Sequence, residues 1–290
     1  MKSAQSGQPR PTSGQHTSRA LWYTSGMAIS EALKERLRRL AEKYENADFV
    51  IGDPSCILRR YTETADIETA AFIAALLAFG RRDQFLKKID VIMECADQSG
   101  GPAAWISGGG YAEQFAALAP GGDLDKKFYR FYSYRDFLAL FAVMQSILLE
   151  GGTLGGWFQA KFAQACAAAG TECIPLAPLV SESFSGCAIV PQGRNTANKR
   201  VNMFLRWMVR TDSPVDMGLW TWYRPAHLVI PLDTHVIQEA ARFGLIPPKS
   251  AGSAKTAALL TEALREVWPD DPCKGDFALF GLGIDSGAER

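Results

Sequence analysis

The chain has no surplus of either charge, since Lys+Arg and Asp+Glu both total 31. That balance excludes a protein that holds nucleic acid by bulk charge, while leaving a local basic patch open. Histidines number three. The six cysteines, at 56, 95, 166, 173, 187 and 273, form no CxxC pair and no Cys/His cluster of zinc or iron–sulfur spacing. No cofactor or metal is therefore expected, and the cysteines are expected to be reduced and mostly buried. No apolar run reaches the ~18 residues of a membrane span. The longest candidate, 67–79, is interrupted by Glu68 and Thr69 and reads as a core helix. No membrane partner and a cytoplasmic location are the expectation. Repeats of 20–50 residues are lacking, and alternating strand-like segments are few. The first 26 residues contain no acid and no apolar stretch of the kind a secretory signal needs. They read as a disordered tail, or as sequence upstream of a start at Met27, ahead of one helical domain spanning 27–290.

What is present is ordinary globular composition, 47% hydrophobic and 21% charged, with recurrent helical periodicity. Ser30 is a fitting cap for a first helix carrying Leu33, Leu37 and Leu40 at helical spacing. Asp66 is a fitting cap for DIETAAFIAALLAF, which Gly80 ends, and the basic segment 81–96 follows as another helix. Gly/Pro-rich stretches at 99–110 and 120–122 read as loops, and 170–187 is the least periodic part. Further helices are expected at 134–150, 154–169, 194–210, 234–243, 254–267 and 275–283. The fold class is all-α, with two helical lobes around a cleft as one arrangement.

The most informative segment is KRVNMFLRWMVR, 199–210. Val201, Phe204, Leu205, Met208 and Val209 share one helical face, and Lys199, Asn202, Arg206 and Arg210 the opposite one. Arg194 and Arg200 add charge nearby, and no acid occurs between Glu182 and Asp212. Such a face suits phosphate contact, with a solvated surface helix as the plain alternative. Asn195 or Thr196 is positioned to cap this helix, whose free amides also attract phosphate. Further on, Asp233 ends an apolar, Pro-containing lead-in and begins a helix closed by Gly244. An N-cap carboxylate there is held as a fixed anion, useful wherever positive charge develops. His235, in the first turn, reads as structural.

The strings KRVNMFLRWMVR, DMGLW, PLDTHV and DFALFGLGI closely resemble a mainly bacterial family built on a domain of unknown function (2400), from about residue 30 to the C-terminus. More distantly, 189–245 resembles the helix-hairpin-helix DNA glycosylases, with GRNTAN (193–198) like the hairpin and PLDTHV (231–236) like the segment carrying the catalytic aspartate. That resemblance implies a helix-hairpin-helix glycosylase-like fold acting on double-stranded DNA with a damaged base, Asp233 as the catalytic carboxylate, and no iron–sulfur cluster. The lysine of endonuclease III-like enzymes would fall on Asn195. Lys199, one turn further on, is expected to supply the amine for a Schiff base and abasic-site lyase activity. Positive charge from Arg200 and Arg206 is expected to disfavour a second charge on that amine. Base extrusion needs a residue to fill the stack; Arg81, Arg82 and Gln84 are candidates, and Trp207, Trp220, Trp222 and Tyr223 are candidates for sandwiching the base. A non-catalytic nucleic-acid-binding protein that keeps the fold, or an enzyme acting on RNA or free nucleosides, are the alternatives.

Overall fold

The computed structural model describes residues 29–51, 53–193 and 195–288, with side chains of the last helix described to residue 285. The expected tail and the Met27 start lie outside these residues. The described chain is predominantly helical, and the all-α class expected from periodicity holds. None of its helices is singly long and apolar enough to cross a membrane.

Helix α1 (Glu31–Tyr44) starts at Ser30, whose Oγ accepts from the Leu33 amide. Helix α2 (Thr64–Leu77) is buried along nearly its whole length, as befits a helix apolar all round. Its one buried acid, Glu68, accepts from the Gly155 amide (2.8 Å) and the Trp220 indole (2.7 Å). Asp66 does not cap its own helix, which begins two residues earlier. It reaches across to the Ala103 amide (2.8 Å) and so caps α4 (Pro102–Ser107). That long-range cap explains why a Gly/Pro-rich segment expected to be loop contains α4 and α5 (Tyr111–Ala117). Helix α3 (Arg82–Asp97) lies between them and α2.

A short hairpin, β1 (Lys127–Tyr129) and β2 (Tyr132–Ser133), pairs antiparallel with Tyr129 opposite Tyr132. Ser133 then opens α6 (Tyr134–Gly151) through a reciprocal capping box with Asp136. Helix α7 (Leu154–Ala169) falls on its expected range, and α8 (Leu176–Ser183) fills part of the stretch read as aperiodic. Helix α9 (Lys199–Val209) starts five residues later than expected. Asn198 has φ 49°, a left-handed conformation that cannot continue a helix backward, so neither Asn195 nor Thr196 caps it. The chain closes with α10 (Thr234–Arg242), α11 (Ala254–Arg265) and α12 (Lys274–Ala288), the last longer than its periodicity indicated.

Two large apolar clusters organise the interior, beside a small one of Val50, Val215 and Phe277. The larger of the two is built on α2 through α9, and the smaller on α1, α10, α11 and α12. The seam between them is where the start of α9 meets the start of α10.

Candidate active site

The loop 191–198 sets the position of Lys199. The Asn198 side-chain amide donates to Ser181 Oγ (2.9 Å), and Ser181 Oγ donates to the Pro191 carbonyl (2.9 Å). This pair turns the Asn198 side chain away from the capping position. Gly193, at φ 69°, lies against that amide so closely that a Cβ would come within 2.7 Å of Nδ2. Asn202 donates back to the Ala197 carbonyl (3.0 Å), and the Ala197 amide to Gly252 O (3.2 Å). A loop held at both ends thus delivers Lys199 as the first residue of α9.

Asp233 arrives from the other side. Its Oδ1 accepts from the Val236 amide (2.9 Å), the expected N-cap of α10. Its Oδ2 accepts from Lys199 Nζ at 2.9 Å. The two side chains are 34% and 14% exposed, so the pair is neither sealed nor freely hydrated. Both open on a pocket of about 220 Å³ at the seam, walled by Phe79, Phe85, Met203 and Phe280. Asp53, Arg82 and Arg206 line the same pocket, as does Asp276 of α12, which accepts from Arg206 Nη1. Burial lifts its carboxyl to about 6 against the opposing pull of Arg206, and the Asp233 charge adds to the lift. One pocket therefore holds an amine, a capped carboxylate and a carboxyl that titrates near neutrality. Ionisable groups of opposite charge converging in a cleft, one of them a carboxyl lifted by burial, make this pocket the candidate functional site. A second cavity, of about 170 Å³ beyond the 192–198 loop, is lined mostly by apolar groups, with Tyr223 and His227 as ionisable side chains.

The basic face of α9 requires a correction. Asn202, Arg206 and Arg210 are 5%, 4% and 1% exposed, so the helix is buried on both faces. Arg206 pairs with Asp216 (3.3 Å) and Asp276, and Arg210 with Asp216 (2.5 Å), Glu45 (2.7 Å) and Asp271 (2.8 Å). Both guanidiniums also lie over the Phe277 ring. The acids that balance this helix come from other segments, which is why a local scan finds none. Arg206 and Arg210 are engaged by acids inside the fold and present no basic face to solvent, although Arg206 reaches the pocket wall. Nor is Arg206 a bare cation beside Lys199, because Asp216 and Asp276 answer its charge.

Arg200 is half-buried and donates to the Leu76 carbonyl (2.7 Å) and to the Tyr132 hydroxyl (3.2 Å), with its guanidinium 4.9 Å over Phe79. Arg194 lies outside the described residues. Arg81, Arg82 and Gln84 are exposed at the start of α3; Arg81 pairs with Asp83 (2.9 Å), and Arg82 lines the pocket. Trp207, Trp220 and Tyr223 are buried in the larger cluster and away from the pocket walls, so they cannot sandwich a base there; Trp222 packs against Trp220. His235 is exposed, edge-on to Phe280. The residues that sequence reasoning missed are Asp276, Phe79 and Phe280. An acid inside the apolar run DFALFGLGI was the available signal for the first.

A family model described as "Protein of unknown function (DUF2400)" matches residues 53–285. No curated protein and no solved structure matches the chain.

Proposed function

The chain belongs to the DUF2400 family, and from that premise and the pocket we propose that it is a DNA base-excision glycosylase with abasic-site lyase activity, built on a helix-hairpin-helix glycosylase-like fold. One observation carries the reading. Lys199 and Asp233, from the starts of two different helices, meet at 2.9 Å on the wall of a pocket. A cavity of about 150 Å³ holds one benzene ring, so one of about 220 Å³ suits a single base swung out of the duplex.

In this reaction Asp233 stabilises the positive charge that develops on deoxyribose as the glycosidic bond loosens. Its two oxygens are already oriented by the Val236 amide and by Lys199, so little reorganisation opposes that role. The proton on Nζ points at Oδ2, which supplies a route for its removal. The amine lone pair then forms a bond to the anomeric carbon while the bond to the base breaks. The departing base keeps that electron pair and takes up a proton. The proton then shed by the nitrogen passes by way of Asp233 to the ring oxygen as the C1′–O4′ bond breaks, which leaves a Schiff base. Loss of a C2′ proton from it expels the 3′ phosphate and cleaves the strand. Asp276 lines the same pocket and its carboxyl is lifted by burial to about 6, which suits it to exchange a proton with the leaving base.

Borohydride trapping on duplexes carrying single lesions or an abasic site tests this reading. The unmodified chain is expected to give a covalent adduct that Lys199→Ala abolishes, and Asp233→Asn to slow base release by roughly 10²–10³-fold. Full adduct formation by Lys199→Ala would overturn the nucleophile assignment. Salt-sensitive DNA binding with neither adduct nor base release would leave a binding protein. The burial of Arg206 and Arg210 favours one other substrate, a free nucleoside, since it removes two expected phosphate contacts. Activity on nucleosides that is indifferent to salt would support that reading instead.

A further inference from the structure

We propose that Phe131, at the tip of the β1–β2 hairpin, enters the DNA base stack beside the pocket and fills the space left by the extruded nucleotide. This rests on the DNA reading above and extends it to how the duplex is held.

The hairpin buries its other phenylalanine and one of its tyrosines, with Phe128 at 3% and Tyr129 at 4%, yet leaves Phe131 at 59% exposed. Arg130 adopts φ 51° in the two-residue turn, which projects Phe131 outward rather than folding it back. One face of the Phe131 ring lies against Phe79, nearly parallel at 18° with centroids 5.5 Å apart. Phe79 is itself a wall of the Lys199–Asp233 pocket. The ring also meets the Tyr132 ring edge-on (centroids 5.3 Å) and the Arg130 guanidinium (5.8 Å from its centroid), yet the side chain stays 59% exposed, and an exposed aromatic surface of that kind is satisfied by a stacked base.

The tip is rigidly placed. Tyr129 donates its hydroxyl hydrogen to the Phe79 carbonyl, and Arg200 joins Tyr132 to the end of α2 at Leu76. Arg200 follows Lys199 directly, so the hairpin is registered on the residue that carries the amine. The surroundings are cationic: Arg82, Lys126, Lys127 and Arg130 are exposed and form no ion pair among the described residues, whereas Asp83 and Asp125 are each taken by another arginine. A rim of free cations about an exposed aromatic complements a duplex with its phosphates on either side. Among the expected wedge residues, Arg81 is engaged by Asp83, Arg82 lines the pocket, and Gln84 carries no ring to stack.

The test compares borohydride trapping by the full chain on an abasic site in a duplex and on the same site in a single strand, where no stack has to be held open. Phe131→Ala is expected to slow trapping on the duplex roughly 10- to 100-fold, the scale of losing one base–aromatic stack, and to leave single-strand trapping unchanged. Phe131→Trp restores the duplex rate. Duplex trapping by Phe131→Ala at the unmodified rate, or an equal loss on both substrates, overturns the assignment while the glycosylase reading stands. Absence of any adduct and of any base release with the unmodified chain overturns both.

Discussion

Asp276 has two demands on it. Arg206 holds one of its oxygens, yet its removal from water lifts its carboxyl to about 6 from an ordinary 3.8. Between those values the native protein keeps a proton that the unfolded chain has released. The native state thus binds more protons, and stability falls as pH rises through that window. Asp276→Asn removes this contribution. Unfolding free energies from urea titrations of both proteins at pH 4 and pH 7 should therefore differ in slope. The unmodified chain is expected to lose on the order of 2–3 kcal/mol relative to the variant across that range. Parallel curves would mean that Arg206 compensates the buried charge fully. Glu68 is likewise raised by burial, but the Gly155 amide and the Trp220 indole occupy its oxygens, and it stands apart from the pocket around Lys199.

Among the elements, α12 makes the closest approaches. A Cβ on Gly281 would come within 2.2 Å of the Tyr44 ring of α1, and one on Gly283 within 2.9 Å of the His235 side chain of α10. The two glycines of DFALFGLGI are therefore contact residues, letting α12 lie against both helices and carry Asp276 and Phe280 to the pocket. Gly281→Ala forces the Tyr44 ring aside, and overpacking of that kind costs typically 1–3 kcal/mol. The expected outcome is a lower denaturation midpoint together with weaker borohydride trapping, because Phe280 moves with the helix. An unchanged midpoint would show that Tyr44, held at its hydroxyl by Asp285 (2.5 Å), yields without loss. Helix ends followed local rules where the partner was close in sequence, as at Ser30, Asp233 and Gly170. They departed from them at Asp66, which caps a helix 37 residues away, and at Asn198, whose side chain is drawn off by Ser181.

At the scale of the whole molecule, the two large apolar clusters are joined by charge. The apolar face of α9 belongs to the larger cluster, while Arg206 and Arg210 bind acids next to α1 and α12 in the smaller one. Asp216, in the DMGLW string, bridges both arginines and is wholly buried at its side chain. Removing one partner from such a network strands the others, at about 3–5 kcal/mol. Arg210→Met should lower stability by that amount in denaturant titration and leave the salt dependence of any DNA binding unchanged, whereas a phosphate-contacting arginine would flatten it. The sequence alone determined the all-α class and most of the helices, because helical periodicity and capping act over three or four residues; Lys199 and Asp233 became candidates through the resemblance of their segments to the glycosylases. Only the tertiary structure decided that the basic face of α9 is buried, that Lys199 meets an acid 34 residues away, that Asp276 lines the same pocket, and that Phe131 stacks on Phe79 of its wall. Those outcomes depend on which distant segments supply the compensating charge and the apolar cover, and no local pattern records the partner across the fold.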